Sequence, residues 1–488
     1  MRKAFSQQER LDCAGVSRVS LNFNCRDEII PILRSLQQVY SRAELRDQIL
    51  DLVAADVNRD VRDDVGREGL DYWQILVLAA VRLGCNLDYD RLQDLAEQHR
   101  ALRQIMQIGD WNEAPDFGWR RIRDNVCLLK PSTIEQISHL IVAEGHRLQP
   151  AAAKQVRADS FVMEANIHWP TESTLIRDGL RKILELCVPL AAAFQRRGWR
   201  QADHLLQKVK RLSRHIERIA SRKGPHYHER LKREYRKLLK LSGKITRRAQ
   251  HLLEHVAAQP KGAAATPVAQ LRVFLERTEQ VRDTARRRVL HGEQVPHAAK
   301  LFSIFEPHTQ LYKRGKAGQP VQFGRLLLIY EDAVGFIIHS HLLGREEQDR
   351  EVVVPQTRIV QQRLNGVIEE ASFDRGFHSP DNQRELAEII ARPCLLQAGV
   401  KQGAAQAEQA SVSFRRARQR HAGVESAIGA LQAGNGLERS RDRTELGFKR
   451  YQALGVLGRN LHVLGKLLIA EEAEQSEAAR SRRKKSAA

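Results

Sequence analysis

The chain is short of acid. Its 488 residues hold 59 aspartates and glutamates against 80 lysines and arginines, a formal charge of +21 at pH 7 and a pI near 10.0. Cations at that density point to a polyanionic partner, because Lys and Arg near phosphates displace condensed counterions. Cysteine is scarce as well. The six present (Cys13, Cys25, Cys85, Cys127, Cys187 and Cys394) show no C-x-x-C spacing. They read as reduced thiols in a cytosolic chain, which excludes a zinc site or a disulfide framework. No amphipathic anchor and no 18-residue apolar run stands out, so the basic charge is not read as that of a membrane-surface protein. No signal peptide is visible. The length is ample for a large core, with about three domains as a soft prior.

Three stretches carry acids in positions where chemistry is possible. From Asp159 to Ile167 the chain alternates, with Phe161, Met163, Ala165 and Ile167 on one face and Ser160, Val162, Glu164, Asn166 and His168 on the other. That period of two predicts a β-strand opened by an aspartate. Trp169-Pro170 ends it, and Thr171 or Ser173 can cap a helix beginning near Thr174. Val367–Ser379 is a second short strand ending in Asp374, after which Ser379-Pro380 starts a helix as N-cap and first helical residue. Arg418–Leu431 places Glu425 near the start of a helix whose apolar residues are Val424, Ala427, Ile428 and Leu431. Two acids on strands and one on a helix can converge on two divalent metals about 3.5–4 Å apart, the arrangement that phosphoryl transfer uses.

Four phrases resemble the catalytic blocks of bacterial insertion-sequence transposases: DSFVMEANIHWPTESTLIRDGLR, FEPHTQLYKRGKAGQPVQFGR, ASFDRGFHSPDN and RHAGVESAIGAL. The likeness is to the ISNCY-like group of DDE transposases with an RNase H-like core, and it runs from roughly residue 60 to 470 around a basic insert. It implies a catalytic and metal-binding triad of Asp159, Asp374 and Glu425, two Mg²⁺ or Mn²⁺ ions, and an α/β fold with a mixed sheet. It also implies cleavage at element ends followed by joining of the 3′-OH ends to target DNA. The partners would be double-stranded DNA, both terminal inverted repeats and target, with no membrane. Lys313, Arg314, Lys316 and Arg325 in the second block are candidates for the flanking phosphates. Arg375 either contacts DNA or orients a carboxylate. Many relatives carry Tyr, Arg and Lys around the catalytic Glu; here Arg418, His421 and Gln432 stand at the matching places. His421 retains a pH-dependent donor and Gln432 has no charge, while Arg415, Arg416 and Arg420 are close enough to substitute.

In chain order, residues 1–45 are mixed, with a first helix over Ile29–Leu36. Residues 46–150 read as a helical domain: Leu70–Leu83, Tyr89–His99, Gln104–Trp111, Phe117–Leu129 and Ser132–Arg147, the last capped by Ser132 with Glu135 three residues on. Short helices and tight turns suit a helix-turn-helix region, with Arg120, Arg121 and Arg123 as DNA contacts; a helical scaffold or dimerisation domain fits as well. Phe194–Ala258 holds 19 Lys and Arg against 5 Asp and Glu. Its apolar positions recur at three and four residues, from Leu205 to Ile219 and from Leu231 to Val256, with a break at Gly224-Pro225. That is the seam of a helical hairpin or coiled coil, closing internally or across subunits. The basic face is either solvated or laid on DNA.

Gln259–Pro267 reads as a linker and 194–294 as a basic helical insert. A β pattern returns in LFSIFEPHTQLYKR and in two strands around a Glu331–Val334 turn. Gln348–Leu364 is a crossover helix, a short strand lies near Cys394–Leu396, and 471–488 reads as a disordered tail. The core is thus expected over 151–193 and 295–470. The whole suits a cytoplasmic, nucleoid-associated DNA transposase, monomeric in free solution and dimeric on paired element ends. Two other classes fit the same residues. One is a DNA-binding remnant without catalysis; the other is an RNase H-like nuclease that cuts but never joins.

Overall fold

The computed structural model describes residues 2–5, 11–59, 69–111, 117–258, 265–316, 319–345, 347–397 and 409–486. The chain divides into two compact units, residues 1–166 with 325–488, and residues 167–324. The helical region at the N-terminus is therefore not separate from the sheet region. The expected insert is also wider than 194–294.

In the first unit, seven α-helices among the described residues precede the first strand: α1 (Ile29–Ser41), α2 (Ala43–Val57), α3 (Tyr72–Gly84), α4 (Tyr89–Gln98), α5 (Arg100–Ile105), α6 (Trp119–Val126) and α7 (Pro131–Leu148). Every residue of α3 except Gln74 is buried, as its all-round apolar sequence requires. Asp71 and Gln74 close a reciprocal capping box at its start. Two sequence expectations shift here. The helix expected over Gln104–Trp111 is instead Arg100–Ile105, capped by His99. Pro131, not Ser132, opens α7, because its fixed φ suits the first helical position.

What α1, α3 and α7 pack against is the last helix of the chain, α16 (Thr444–Ser486). Gly458 permits a close approach to α3: a Cβ there would lie 2.6 Å from the Gly84 backbone nitrogen. The Asn460 side chain is fully buried and works like a peptide group. Its Oδ1 accepts from the Ile337 amide at 2.8 Å, while its Nδ2 donates to the Ile337 carbonyl and to Ser138 Oγ, both at 2.9 Å. Over Thr444–Ala479 this helix is, by length and composition, apolar enough to cross a membrane, and 67% of its most apolar window is buried inside the protein. That corrects the reading that no such run exists. The expected disordered tail continues as α16 to Ser486, since its Ala, Glu, Gln, Arg and Lys propagate a helix already nucleated upstream.

The sheet is mixed. β1 (Gln155–Glu164) pairs in parallel with β5 (Glu370–Phe373), and β5 in parallel with β6 (Arg392–Leu395). On its other side β1 neighbours β3 (Gln319–Asp332), which pairs antiparallel with β4 (Ile337–Leu342). β1 begins four residues before Asp159, so that aspartate lies within the strand instead of opening it. The β3–β4 turn is built by Asp332, whose Oδ1 accepts from the amides of Val334, Gly335 and Phe336; Gly335 takes φ +106°. α12 (Asp349–Arg363) is the crossover to β5, and α13 (Pro380–Ile389), capped by Ser379, connects β5 to β6. Among the described residues two short helices follow, α14 (Val412–His421) and α15 (Val424–Gly429).

The second unit is a bundle of four helices, α8 (Glu172–Ala193), α9 (Ala202–Arg222), α10 (Tyr227–Ala257) and α11 (Ala265–Ala285), followed by β2 (Gln310–Lys316), which pairs with the first residues of β3. Residues 301–309 are irregular, so only the second half of the LFSIFEPHTQLYKR stretch is strand. Residues 259–264 of the expected linker lie outside the described residues, and Ala265–Pro267 already belong to α11. The heptad seam closes inside this bundle. Tyr235, Leu238, Ile245, Ala249 and Leu252 are buried against α8, α9 and α11. At its centre Arg282 Nε donates to Ser242 Oγ at 2.9 Å, and Gly243 admits the guanidinium, since a Cβ there would lie 2.5 Å from it. Leu238→Ala should therefore cost about 3 kcal/mol in chemical denaturation, while light scattering shows no change in oligomeric state.

Candidate active site on the polar face of the sheet

The parallel register decides which acids meet. The last paired positions of β1 and β5 are Ala158 and Phe373, and the next residues on the two strands are Asp159 and Asp374. Both are half-buried. Ala158 and Phe373 point into the core, so alternation sends the two aspartates to the opposite face. Arg157 and Ser372, paired in register two positions before each acid, share that polar face. Asp159 Oδ1 accepts the Ser160 amide at 2.7 Å.

α14 and α15 pack on this face. Arg157 is the link: its Nε donates to Glu331 Oε2 on β3 at 2.5 Å, and its Nη1 to the Arg420 carbonyl at 2.9 Å. Gly423, between the two helices, leaves room for it, since a Cβ there would collide with Nη1. Burial pushes the Glu331 carboxyl above its ordinary value, and Arg157 and Arg459 pull it back. Nearer β5, Glu370 is ion-paired with Arg420 and lies 3.7 Å from Arg392 Nε. His421 is buried, its Nδ1 3.2 Å from Ser372 Oγ. Burial holds its pKa down, Arg418 acts in the same direction, and Asp374 opposes them.

Glu425, the third acid, sits exposed on the six-residue α15, which packs against β1. Among the described residues no group of three His, Cys, Asp or Glu is gathered closely enough to hold a metal ion. Asp159 and Asp374 thus follow the last paired positions of two neighbouring strands, and Glu425 is carried by a short helix that packs against β1.

The cations divide. Arg375, Arg415 and Arg416 are exposed and belong to the same unit as the acids. Arg420 is exposed but spent on Glu370, and His421 is a buried partner of Ser372 rather than an exposed phosphate donor. Arg325 leaves the phosphate-binding set. It is buried, Nε donates to the Leu343 carbonyl at 2.8 Å, and Nη2 donates to Leu342 at 3.2 Å, closing the end of β4. Lys313 is exposed in the second unit, whereas the side chains of Arg314 and Lys316 lie outside the described residues. On α6, Arg120 and Arg121 are exposed; Arg120 and Arg123 lie 5.0 and 5.2 Å over the Trp119 ring, and Arg123 pairs with Asp124 at 2.7 Å. Arg157, Glu331, Glu370 and Ser372 escaped the sequence reading. The period-two signal that exposes Arg157 was available, two residues before Asp159 on a strand.

No protein-family model, curated protein or solved structure matches the chain.

Arg325 and the surface arginines should separate experimentally. Arg325→Ala should lower stability by about 2 kcal/mol through the lost charge-assisted bonds to two carbonyls, with DNA affinity at fixed folded fraction unchanged. The double change Arg415→Gln, Arg416→Gln should do the reverse. Denaturation curves and filter binding read the two effects.

Proposed function

We propose that the chain is a DNA transposase with an RNase H-like core, cleaving insertion-sequence ends and joining their 3′-OH ends to target DNA. The observation that carries this reading is the register that sets Asp159 beside Asp374, with the Glu425 helix against the same strand. The strand order β4-β3-β1-β5-β6 is compatible with such a core.

The cofactor implied is a pair of divalent cations, Mg²⁺ or Mn²⁺. The donor chemistry fits, because all three candidates are carboxylates and hard cations take oxygen ligands. Asp159, Asp374 and Glu425 would hold them. Such ions lower the pKa of a water or hydroxyl and stabilise a leaving oxygen. The rest of the work is positioning. The sheet fixes two carboxylates against each other, and Arg157 anchors the elbow that carries the third. Exposed Arg375, Arg415 and Arg416 are available for phosphates on either side of the scissile bond. Water attack on the phosphodiester frees a 3′-OH as the other P–O bond breaks, and that hydroxyl repeats the exchange on target DNA. Joining two ends requires two such sites, so a dimer on DNA follows from the reaction. With the α10 seam internal, another surface must hold that dimer. One observation favours a second reading, a DNA-binding protein without strand transfer: Glu425 stands exposed on α15 and, among the described residues, the three acids form no closed cluster.

Asp159→Asn, Asp374→Asn and Glu425→Gln should each abolish Mg²⁺-dependent end cleavage and strand transfer on a labelled oligonucleotide, leaving gel-shift affinity within about twofold. Retained cleavage in any one of them removes that residue from the triad. The basic helices offer a separate test. Arg211, Arg214, Arg218, Lys240 and Lys244 are exposed on α9 and α10. Changing them together to Gln should reduce the slope of log affinity against log salt by about 0.9 for each phosphate no longer neutralised. Substitution is the right intervention, because deleting 194–258 would strip the core that α8 and α11 share with α9 and α10.

A further inference from the structure

The larger cavity of the second unit is lined by as many carboxylates as permanent cations, Glu172, Glu217 and Glu293 against Lys232, Arg288 and Lys300. A smaller cavity in the first unit, about 380 Å³, is not balanced in that way. It lies between α7, β4 and the segment that leads from the end of α12 toward β5. Val142, Ala143, Pro150, Ile338, Leu364 and Val367 make most of its wall apolar. The polar side chains there are His139 and His146 of α7, Arg363 at the last residue of α12, and Asn365. No acid lines it. His146 is engaged by Asp332, Nε2 to Oδ2 at 2.8 Å, and the other oxygen of that carboxylate accepts from the amides of Val334, Gly335 and Phe336.

Arg363 is the permanent cation of this wall, and it is half-buried. Its Nη1 donates to His139 Nε2 at 2.8 Å and to His339 Nδ1 at 3.4 Å, and its Nη2 donates to the Ile338 carbonyl. None of these acceptors is charged. Burial, with Arg363 acting in the same direction, brings His139 down to about 4. Burial likewise brings His339 down to about 3, against the effect of its bond to Gln356. Both rings therefore accept as neutral imidazoles. Glu135 acts on Arg363 electrostatically, but burial pushes its own carboxyl up, and among the described residues no ion pair joins the guanidinium to an acid. Nε and one N–H of Nη2 are left without an acceptor among the described residues. Donors on two adjacent nitrogens match the two oxygens of a carboxylate. We propose that this cavity binds a small organic carboxylate, its oxygens on Nε and Nη2 of Arg363 and its apolar body against Val142, Ile338 and Leu364. The volume is that of a small-molecule site, apolar in the main with a few polar groups to fix orientation. A cation taken partly out of water and held only by neutral acceptors is stabilised by such an anion. The assignment stands apart from the Asp159, Asp374 and Glu425 site and does not depend on any reaction there.

The test uses the full chain and ligand-observed NMR titration with hexanoate, hexan-1-ol, acetate and inorganic phosphate. Hexanoate should bind about tenfold more tightly than hexan-1-ol, which lacks the charge, and than acetate, which lacks the apolar body. Arg363→Gln should weaken hexanoate about tenfold, as expected for lost charge-assisted bonds, and leave hexan-1-ol unchanged. Ala143→Phe, at an exposed position of α7 on the cavity wall, should fill the space and abolish binding of both. Arg91→Gln, exposed on α4, should change neither. Denaturation curves give the folded fraction of every variant. Should Arg363→Gln not fold, the hexanoate and hexan-1-ol affinities of the unaltered chain and the effect of Ala143→Phe decide. No binding of hexanoate overturns the proposal, and so does hexanoate binding that survives Ala143→Phe. Hexan-1-ol binding as tightly as hexanoate also overturns it, leaving an apolar crevice, as does phosphate binding as tightly as hexanoate, which would leave a simple anion site.

Discussion

One guanidinium, that of Arg157, holds the polar face of the sheet together. It neutralises Glu331, whose side chain is only 2% exposed, and bonds the carbonyl at the end of α14. Removing one partner of a buried pair leaves an uncompensated charge, at a cost of about 3–5 kcal/mol. Here the loss would be positional as well. The elbow at Gly423 rests on Arg157, and the orientation of α15 follows from that elbow. The candidate site is thus a consequence of scaffold electrostatics: Glu331, Arg157, Glu370 and Arg420 set where the helices lie, and Asp159 and Asp374 occupy the ground left between them.

The second unit separates two tasks along the same helices. Its seam residues face inward and are buried, while most of its lysines and arginines are exposed. Arg282 is an arginine that is not, lying inside the bundle and satisfied by Ser242, Thr246 and the Leu239 carbonyl. A long polar side chain with several fixed acceptors specifies register in a way that leucines alone do not. The bundle can therefore present a one-signed surface without depending on it for cohesion.

Much of this order was legible in the residues. Periodicity located α3, the break between α9 and α10, the β3–β4 turn and the Ser379 cap, because each is decided by local sequence. Register is not local, and the adjacency of Asp159 and Asp374 required the strands to be paired. Arg325 was misread for a related reason. It lies in a basic stretch, but this part of β3 is buried on both faces, and carbonyl oxygens at the end of β4 accept from its guanidinium. The tail after residue 470 is polar in composition and was read as irregular, although the helix that enters it carries it on. The cavity of the second unit had no sequence signature, since its walls come from four separated segments.

The pairing of α3 with α16 has a consequence for the order of events in synthesis. Arg82 near the end of α3 is bound in bidentate fashion by Asp442, 360 residues later, and Gly84 lies against Gly458. No part of that interface can form until residues beyond 442 have left the ribosome, so the N-terminal helices must wait with their apolar faces unfilled. The 167–324 unit is continuous in sequence and carries its own core, and it is complete long before then. Residues made before the 167–324 unit are thus among the last to reach their final packing, and the loop to be closed spans some 360 residues.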